Sequence, residues 1–187
     1  MAQFLVGLAG PDSSGVVYTV TEELNKIGCN VVDMSQTTLR NQFSSIMIAD
    51  NPKDIPLDKV KEHVGKALEH RGFDMALTVT PYQEGKARIT VGEPFVITVD
   101  GKESRDILTS FSRIFYEGRI NIDSFRIIEE NDENRHRVMM VYEVTVPTDI
   151  DRKALHRTLS EIAKSNGMSM SMQHRRIFEA IHRVGIA

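Results

Sequence analysis

Only one cysteine, Cys29, occurs in the 187 residues. That excludes an intramolecular disulfide framework and suits a reducing compartment, the cytoplasm. The flanking "IGCNVV" supplies no cation to lower the thiol's pKa, so Cys29 reads as a small core residue. A basic surplus is also missing: 23 Lys and Arg stand against 26 Asp and Glu, a net charge of -3. Non-specific nucleic-acid binding needs a basic field to neutralise phosphates, and only "QHRR" clusters basic residues. No apolar run approaches bilayer-spanning length, and "MAQFLVGLAG" has neither the basic leader nor the layout of a signal peptide. A soluble cytoplasmic protein with no membrane partner is the expectation.

Catalytic and metal motifs are equally scarce. His63, His70 and His156 stand in charged helical stretches and read as solvated surface histidines. His174 and His182 are eight positions apart, about two helical turns, whereas zinc helices use the i, i+4 spacing. No paired-carboxylate or Cys/His cluster appears, so no metal, no cofactor and no catalytic residue are expected, and the chain reads as a non-enzyme.

What the sequence does hold is a repeated alternation of strands and helices. Phe4–Ala9 is a short apolar strand, and Val17, Val20, Leu24 and Ile27 share one helical face that Gly28 ends. "NVVDMSQTTLR" and "QFSSIMIAD" form a hairpin around "RNQ". Leu57, Val60, Val64 and Leu68 mark a second helix, closed by Gly72, and "FDMALTV" is a fourth strand. The order then recurs: "PFVITVD", a helix striped by Ile107, Phe111, Ile114 and Phe115 that ends at Gly118, and a hairpin from "INIDSFRIIEE" and "HRVMMVYEVTV". A helix through Leu155, Leu159 and Ile162 follows, then the alternating strand "MSMSMQ" and a short final helix, "RIFEAIHRV". Met34, Met47, Met168, Met170 and Met172 alternate along strands and read as core.

Each half is therefore β-α-β-β-α-β, an internal repeat. The expected fold is α+β: two tandem ferredoxin-like βαββαβ domains with antiparallel sheets, residues 1–84 and 85–187, plus a C-terminal helix. The seam falls near Gln83–Ala87.

Between the first strand and helix stands "GPDSSGVV". It lacks the lysine of a phosphate-binding P-loop and the third glycine of a dinucleotide fingerprint. Ser13 and Ser14 lack the nucleophile-elbow pattern. Two readings remain. Asp12, Ser13 or Ser14 caps the helix, or the free amides and helix dipole hold a small anion such as an amino acid's carboxylate, with Asp12 accepting from its amine. Gly10 and Gly15 would permit close backbone approach.

The stretch "LAGPDSSGVVYTVTEELNKIGCNVVDMSQT", the βαββαβ order in both halves and the ending "MSMSMQHRRIFEAIHRV" resemble tandem ACT-domain proteins, in particular the glycine cleavage system transcriptional repressor group. The resemblance implies a regulatory module that binds an amino acid, glycine or serine being the first choices. Asp12, Ser13, Ser14 and Gly15 would form the ligand turn, with Asn30 and Val31 in the same pocket. It also implies action through a protein partner such as a transcription activator, without direct nucleic-acid contact, and homodimers as one arrangement. A ligand-free dimerisation or assembly module is the alternative. The second copy of the turn, "DGKESRDI", sets Asp100 at the place of Gly10, Lys102 at that of Asp12 and Arg105 at that of Gly15, with Asn121 matching Asn30. One ligand site, in the first repeat, is the expectation.

Overall fold

A computed structural model describes residues 2–85, 90–102, 106–132 and 135–183, with the side chains of 130–132, 135–136 and 181–183 outside the description. The chain divides into two compact units, residues 1–87 and 88–187. The anticipated seam, Gln83–Ala87, runs into residues 86–89, which lie outside the described residues.

The first unit holds β1 (Ala2–Pro11), α1 (Val16–Ile27), β2 (Asn30–Leu39), β3 (Gln42–Asn51), α2 (Leu57–His70) and β4 (Ala76–Pro81). The second holds β5 (Gly92–Gly101), α3 (Ile107–Glu117), β6 (Asn121–Asp132), β7 (Arg135–Pro147), α4 (Arg152–Ser165), β8 (Met168–His174) and α5 (Arg175–Arg183). Each unit is one antiparallel four-stranded sheet, ordered β2-β3-β1-β4 and β6-β7-β5-β8. This is the tandem ferredoxin-like architecture expected from the strand and helix order.

Strand alternation and helical periodicity meet in the cores. Phe4, Val6 and Leu8 of β1 point to one face, where Val16, Val20 and Leu24 of α1 and Val60, Val64 and Leu68 of α2 cover them. Successive strand residues face opposite ways and helical residues three or four apart share a stripe, so one face of each sheet is sealed. Cys29 is buried in this cluster, and burial pushes its thiol pKa up, which keeps it protonated and inert. The second core is more aromatic. Tyr142 packs against Phe111, Phe115 and Phe125 with ring centroids 5.8, 5.4 and 4.5 Å away.

Residues at matching places in the two units keep a constant sequence offset from β1 to the start of β2. Phe4 corresponds to Phe95, Val16 to Ile107, Leu24 to Phe115 and Cys29 to Ile120, every one of them buried. The offset carries Gly28 to Arg119, not to Gly118. Gly28 has φ 87°, and the amide of Cys29 donates to the Leu24 carbonyl at 2.9 Å. Arg119 has φ 54°, and the amide of Ile120 donates to the Phe115 carbonyl at 2.8 Å. Gly118 caps α3 as expected, and the left-handed residue that turns the chain follows one position later, at Arg119. Gly118 itself has φ -83°. Two expectations are corrected. Phe73 and Met75 precede β4 instead of lying within it, because Gly72, with φ 74°, turns the chain before the ladder starts. Met34 is 40% exposed, being on the edge strand β2 and not in the core.

Where the first strand of each unit ends, the last strand begins against it with no space for a side chain. A Cβ on Gly10 would lie 2.5 Å from the Asp74 carbonyl oxygen and 2.8 Å from the Met75 sulfur. A Cβ on Gly101 would lie 2.9 Å from Met168 Cγ and 3.1 Å from the Gly167 carbonyl oxygen. Gly10 pairs with buried Phe43 across the sheet, and Gly101 with buried Val138. Gly101, not Asp100, therefore stands at the place of Gly10.

Overpacking of this kind costs about 1–3 kcal/mol. Gly10→Ala is expected to lower the unfolding free energy by an amount in that range, seen as a lower denaturant midpoint. Gly101→Ala is expected to cost less, since its nearest neighbour is a flexible methionine side chain. Chemical denaturation of both variants measures the difference. A second expectation concerns alkaline pH. Burial pushes the Tyr142 phenol pKa up to about 12, whereas an unfolded tyrosine ionises near about 10. The unfolded state therefore loses its proton first, so stability holds below about pH 10 and falls as pH rises from about 10 to about 12. The hydroxyl donates to the Met140 sulfur at 3.8 Å, a weak acceptor. Tyr142→Phe is thus expected to cost no more than about 1 kcal/mol at neutral pH and to flatten the alkaline decline.

Candidate ligand site at the first strand-to-helix turn

β1 ends at Pro11 and α1 begins at Val16, and the four turn residues Asp12, Ser13, Ser14 and Gly15 are all exposed. The Asp12 amide donates to the Asn41 carbonyl at 2.9 Å, tying the turn to the tip of the β2–β3 hairpin. Gly15 is the N-cap, with φ 101°, and no side chain accepts a hydrogen bond from the first turn of α1. The capping role open to Asp12, Ser13 and Ser14 is therefore not taken up. Elsewhere the chain does cap: Asp151 accepts from the amides of Lys153 and Ala154 at 2.9 and 3.2 Å. The amides at the start of α1 have no intrahelical acceptor by helix geometry, and they carry the positive end of the helix dipole.

Behind the turn, side chains hold Gly15 in place. The Thr19 hydroxyl and backbone amide each donate to the Gly15 carbonyl at 2.9 Å. The Arg71 guanidinium, just past the end of α2, donates to the Thr19 hydroxyl at 3.0 Å and to Glu22 at 2.6 Å. It also lies 5.2 Å from the centre of the Tyr18 ring. Tyr18 donates to Glu22 at 2.7 Å. That hydrogen bond is the main reason the Glu22 carboxyl is held below its ordinary pKa, with Lys26 adding to the effect. Phe73 completes the surround, its Cζ 3.5 Å from the point a Gly15 Cβ would occupy. Sequence reading missed Arg71, Thr19 and Phe73. The one signal was Thr19, a polar residue beside the apolar stripe of α1; the long-range partners left none.

Asn30 and Val31 do not join this turn within the unit. Asn30 pairs with Asp50, which pairs in turn with Gln3 near the start of β1. The turn lies at the other end of that strand, where Pro11 pairs with Gln42. At about 3.3 Å per residue the two places are roughly 25–30 Å apart. α1 runs back along the sheet before β2 starts, so the start of β2 is carried away from the turn. Asn30 is exposed, and Val31 is half-buried against the core.

Gly10 is also removed from the ligand argument, since Asp74 and Met75 occupy the space its missing side chain leaves. With Gly101 at its equivalent place, counting along "GKESRD" sets Lys102 with Pro11 and Asp106 with Gly15. Glu103, Ser104 and Arg105, which correspond to Asp12, Ser13 and Ser14, lie outside the described residues. The acidic-to-basic change at Asp12 is thus withdrawn, because a glutamate stands there. The lasting difference is at the helix terminus. Asp106 has φ -95° where Gly15 has φ 101°, and its carboxylate stands at the N-cap of α3, where an incoming anion would be repelled.

Other candidate chemistry is thin. His63, His70 and His156 are exposed, and His174 packs edge-on against Phe95 at 5.4 Å. The His182 side chain lies outside the described residues. Among the described residues no group of three or more His, Cys, Asp or Glu could hold a metal ion, and no helix is long and apolar enough to cross a membrane.

Residues 2–80 match the ACT-domain family model. A UPF0237 protein of Methanopyrus kandleri is 33% identical over 76 residues, 40% of this chain and 84% of the relative. A UPF0237 protein of Pyrobaculum aerophilum is 33% identical over 79 residues, 42% of this chain and 83% of the relative. Each of these matches spans less than half of the chain. Two solved structures share the fold of both units. An unknown protein from Galdieria sulphuraria has a TM-score of 0.71 at 17% identity, covering 92% of this chain and 98% of that one. A proposed glycine cleavage system transcriptional repressor has a TM-score of 0.62 at 12% identity, covering 92% and 96%. The chain belongs with the UPF0237 proteins, its residues 2–80 carry the match to the ACT domain, and it folds as two ferredoxin-like units in tandem.

Proposed function

We propose that the chain is a non-enzymatic regulatory protein that binds an amino acid at the turn Asp12–Gly15 and acts through protein partners in the cytoplasm. The bare terminus of α1 carries this reading. Gly15 exposes the first-turn amides, and neither Asp12, Ser13 nor Ser14 occupies them. A carboxylate seated there would meet N–H donors and the positive end of the helix dipole together. Asp12, exposed at the rim, would accept from the ammonium group. Serine hydroxyls at 13 and 14 offer further donors and acceptors.

Glycine and serine are the first ligand candidates, on the resemblance to the glycine cleavage system repressor group. The same resemblance supports indirect regulation of transcription in glycine and one-carbon metabolism, with a transcription activator as partner and no direct nucleic-acid contact. In the second unit, Asp106 already sets a carboxylate at the corresponding terminus, which supports a single site per chain.

A thermal-shift panel of the twenty amino acids tests the reading. At least one is expected to raise the unfolding midpoint, and at about 100 times its Kd the gain is about 2.7 kcal/mol. Gly15→Asp copies the second terminus and is expected to abolish the shift relative to that variant's own midpoint. Asp12→Ala is expected to weaken it. No shift with any of the twenty, in wild type as in Asp12→Ala, would favour a ligand-free assembly module.

A further inference from the structure

Helices seal one face of each sheet; the opposite faces differ between the units. In the second unit α5 folds back over that face and lies against β5 and β8. Val96, which the strand alternation turns away from the helices α3 and α4, is only 3% exposed. Phe178 of α5 lines a hollow of about 590 Å³ together with Thr98, Asp100, Met139, Val141 and Ser171. Arg175, three positions before Phe178 and thus on the same side of α5, pairs with Asp123 at 3.2 Å and Glu143 at 3.4 Å. One arginine on carboxylates and one aromatic ring on the sheet hold this cover.

The first unit carries the matching groove uncovered. Register equates Gly7, Ala9, Ser44, Ile46, Ala76 and Thr78 with Thr98, Asp100, Met139, Val141, Ser169 and Ser171. The six line a groove of about 360 Å³, and Ile46 in it is 59% exposed. Gly7, Ala9, Ser44 and Ala76 are smaller than their counterparts, so the floor of this groove is a shallow bed of small side chains that a bulky ring can approach. Charge follows the same plan. Asp33 and Asp50 are the charged side chains that register sets on this face of the four strands, and both are acidic. Asp33 pairs with Ile48, the counterpart of Glu143, so a carboxylate stands one strand over at the level where Arg175 is held in the second unit.

We propose that this face of the first sheet is the docking site for a basic amphipathic helix of a partner protein, with an arginine three residues before an aromatic side chain. The aromatic ring seats between Gly7, Ala9 and Ala76, and the arginine reaches Asp33. The chain's own α5, "RRIFEAIHR", shows the pattern on the equivalent surface and provides the probe. This docking needs no ligand at the Asp12–Gly15 turn and stands apart from the reading of that turn.

The test uses a fluorescent peptide of residues 173–187 titrated into the full chain without added amino acid. Anisotropy is expected to report saturable binding that weakens at least about tenfold with Ala76→Arg, since loss of a central anchor pocket typically costs more than about 1.4 kcal/mol. Ser44→Arg is expected to act likewise and keeps the test valid should Ala76→Arg fail to fold, which circular dichroism reports. Asp33→Asn is expected to weaken binding less and to reduce its salt dependence, and a peptide with Phe178→Ala is expected not to bind. Absence of binding overturns the proposal. So does binding unaffected by both groove variants, which would mean that the peptide displaces α5 from the second unit. Light scattering that shows a wild-type dimer turned monomeric by Ala76→Arg would also overturn it, assigning the groove to a second copy of the chain.

Discussion

The closeness of the first and last strands governs each unit. Asp74 and Met75 press so near the end of β1 that only glycine fits at position 10, and Gly167 and Met168 do the same at Gly101. That contact sets where the helix after the first strand begins and which residues flank its terminus. In the first unit it delivers Phe73 beside Gly15, while the end of α2 delivers Arg71 to the Thr19 hydroxyl. The bare amides of α1 are thus presented on a terminus braced from behind. A binding turn gains from such bracing, because order already present in the free protein is not lost again on binding.

The architecture was legible in the sequence because its causes are periodic. Phe4, Val6 and Leu8 alternate, Val16, Val20 and Leu24 recur at helical spacing, and Gly28 stops the helix in the left-handed region. What resisted reading depends on register across the sheet. "DG" at 100–101 offers two adjacent candidates for the counterpart of Gly10, and only the pairing of Gly101 with Val138 and Met168 decides between them. The left-handed turn at Arg119 escaped for a similar reason, since the helix end at Gly118 gave no sign that the next residue would take φ 54°. Asn30 and Val31 were grouped with the turn by family likeness, but the strand's length separates them. The Arg71–Thr19 contact joins residues 52 apart in sequence, and no local pattern announces a contact of that range.

The repeats have diverged in a coordinated way. The first unit leaves both its helix terminus and its outer sheet face open; the second sets Asp106 at the one and covers the other with α5. The cores differ in the same direction. Aromatic rings cluster around Tyr142 in the second unit, whereas its counterpart in the first is Met47 among mostly aliphatic neighbours. Aromatic pairs add stabilisation beyond the area they bury, so the second unit is the more internally committed of the two.

This divergence bears on why one chain keeps two copies of a fold. A sheet face built from Gly7, Ala9, Ser44 and Ala76 gives its own unit little to pack, because these side chains bury little apolar area. Such a composition makes sense where another surface must approach closely. The second unit shows what happens when larger residues stand there: Val96 is buried, Phe178 lies over the groove and Arg175 finds Glu143. The cover adds internal contacts but removes a surface for other molecules. Keeping one unit covered concentrates internal packing in the second copy, and on the docking proposed above recognition would fall to the first.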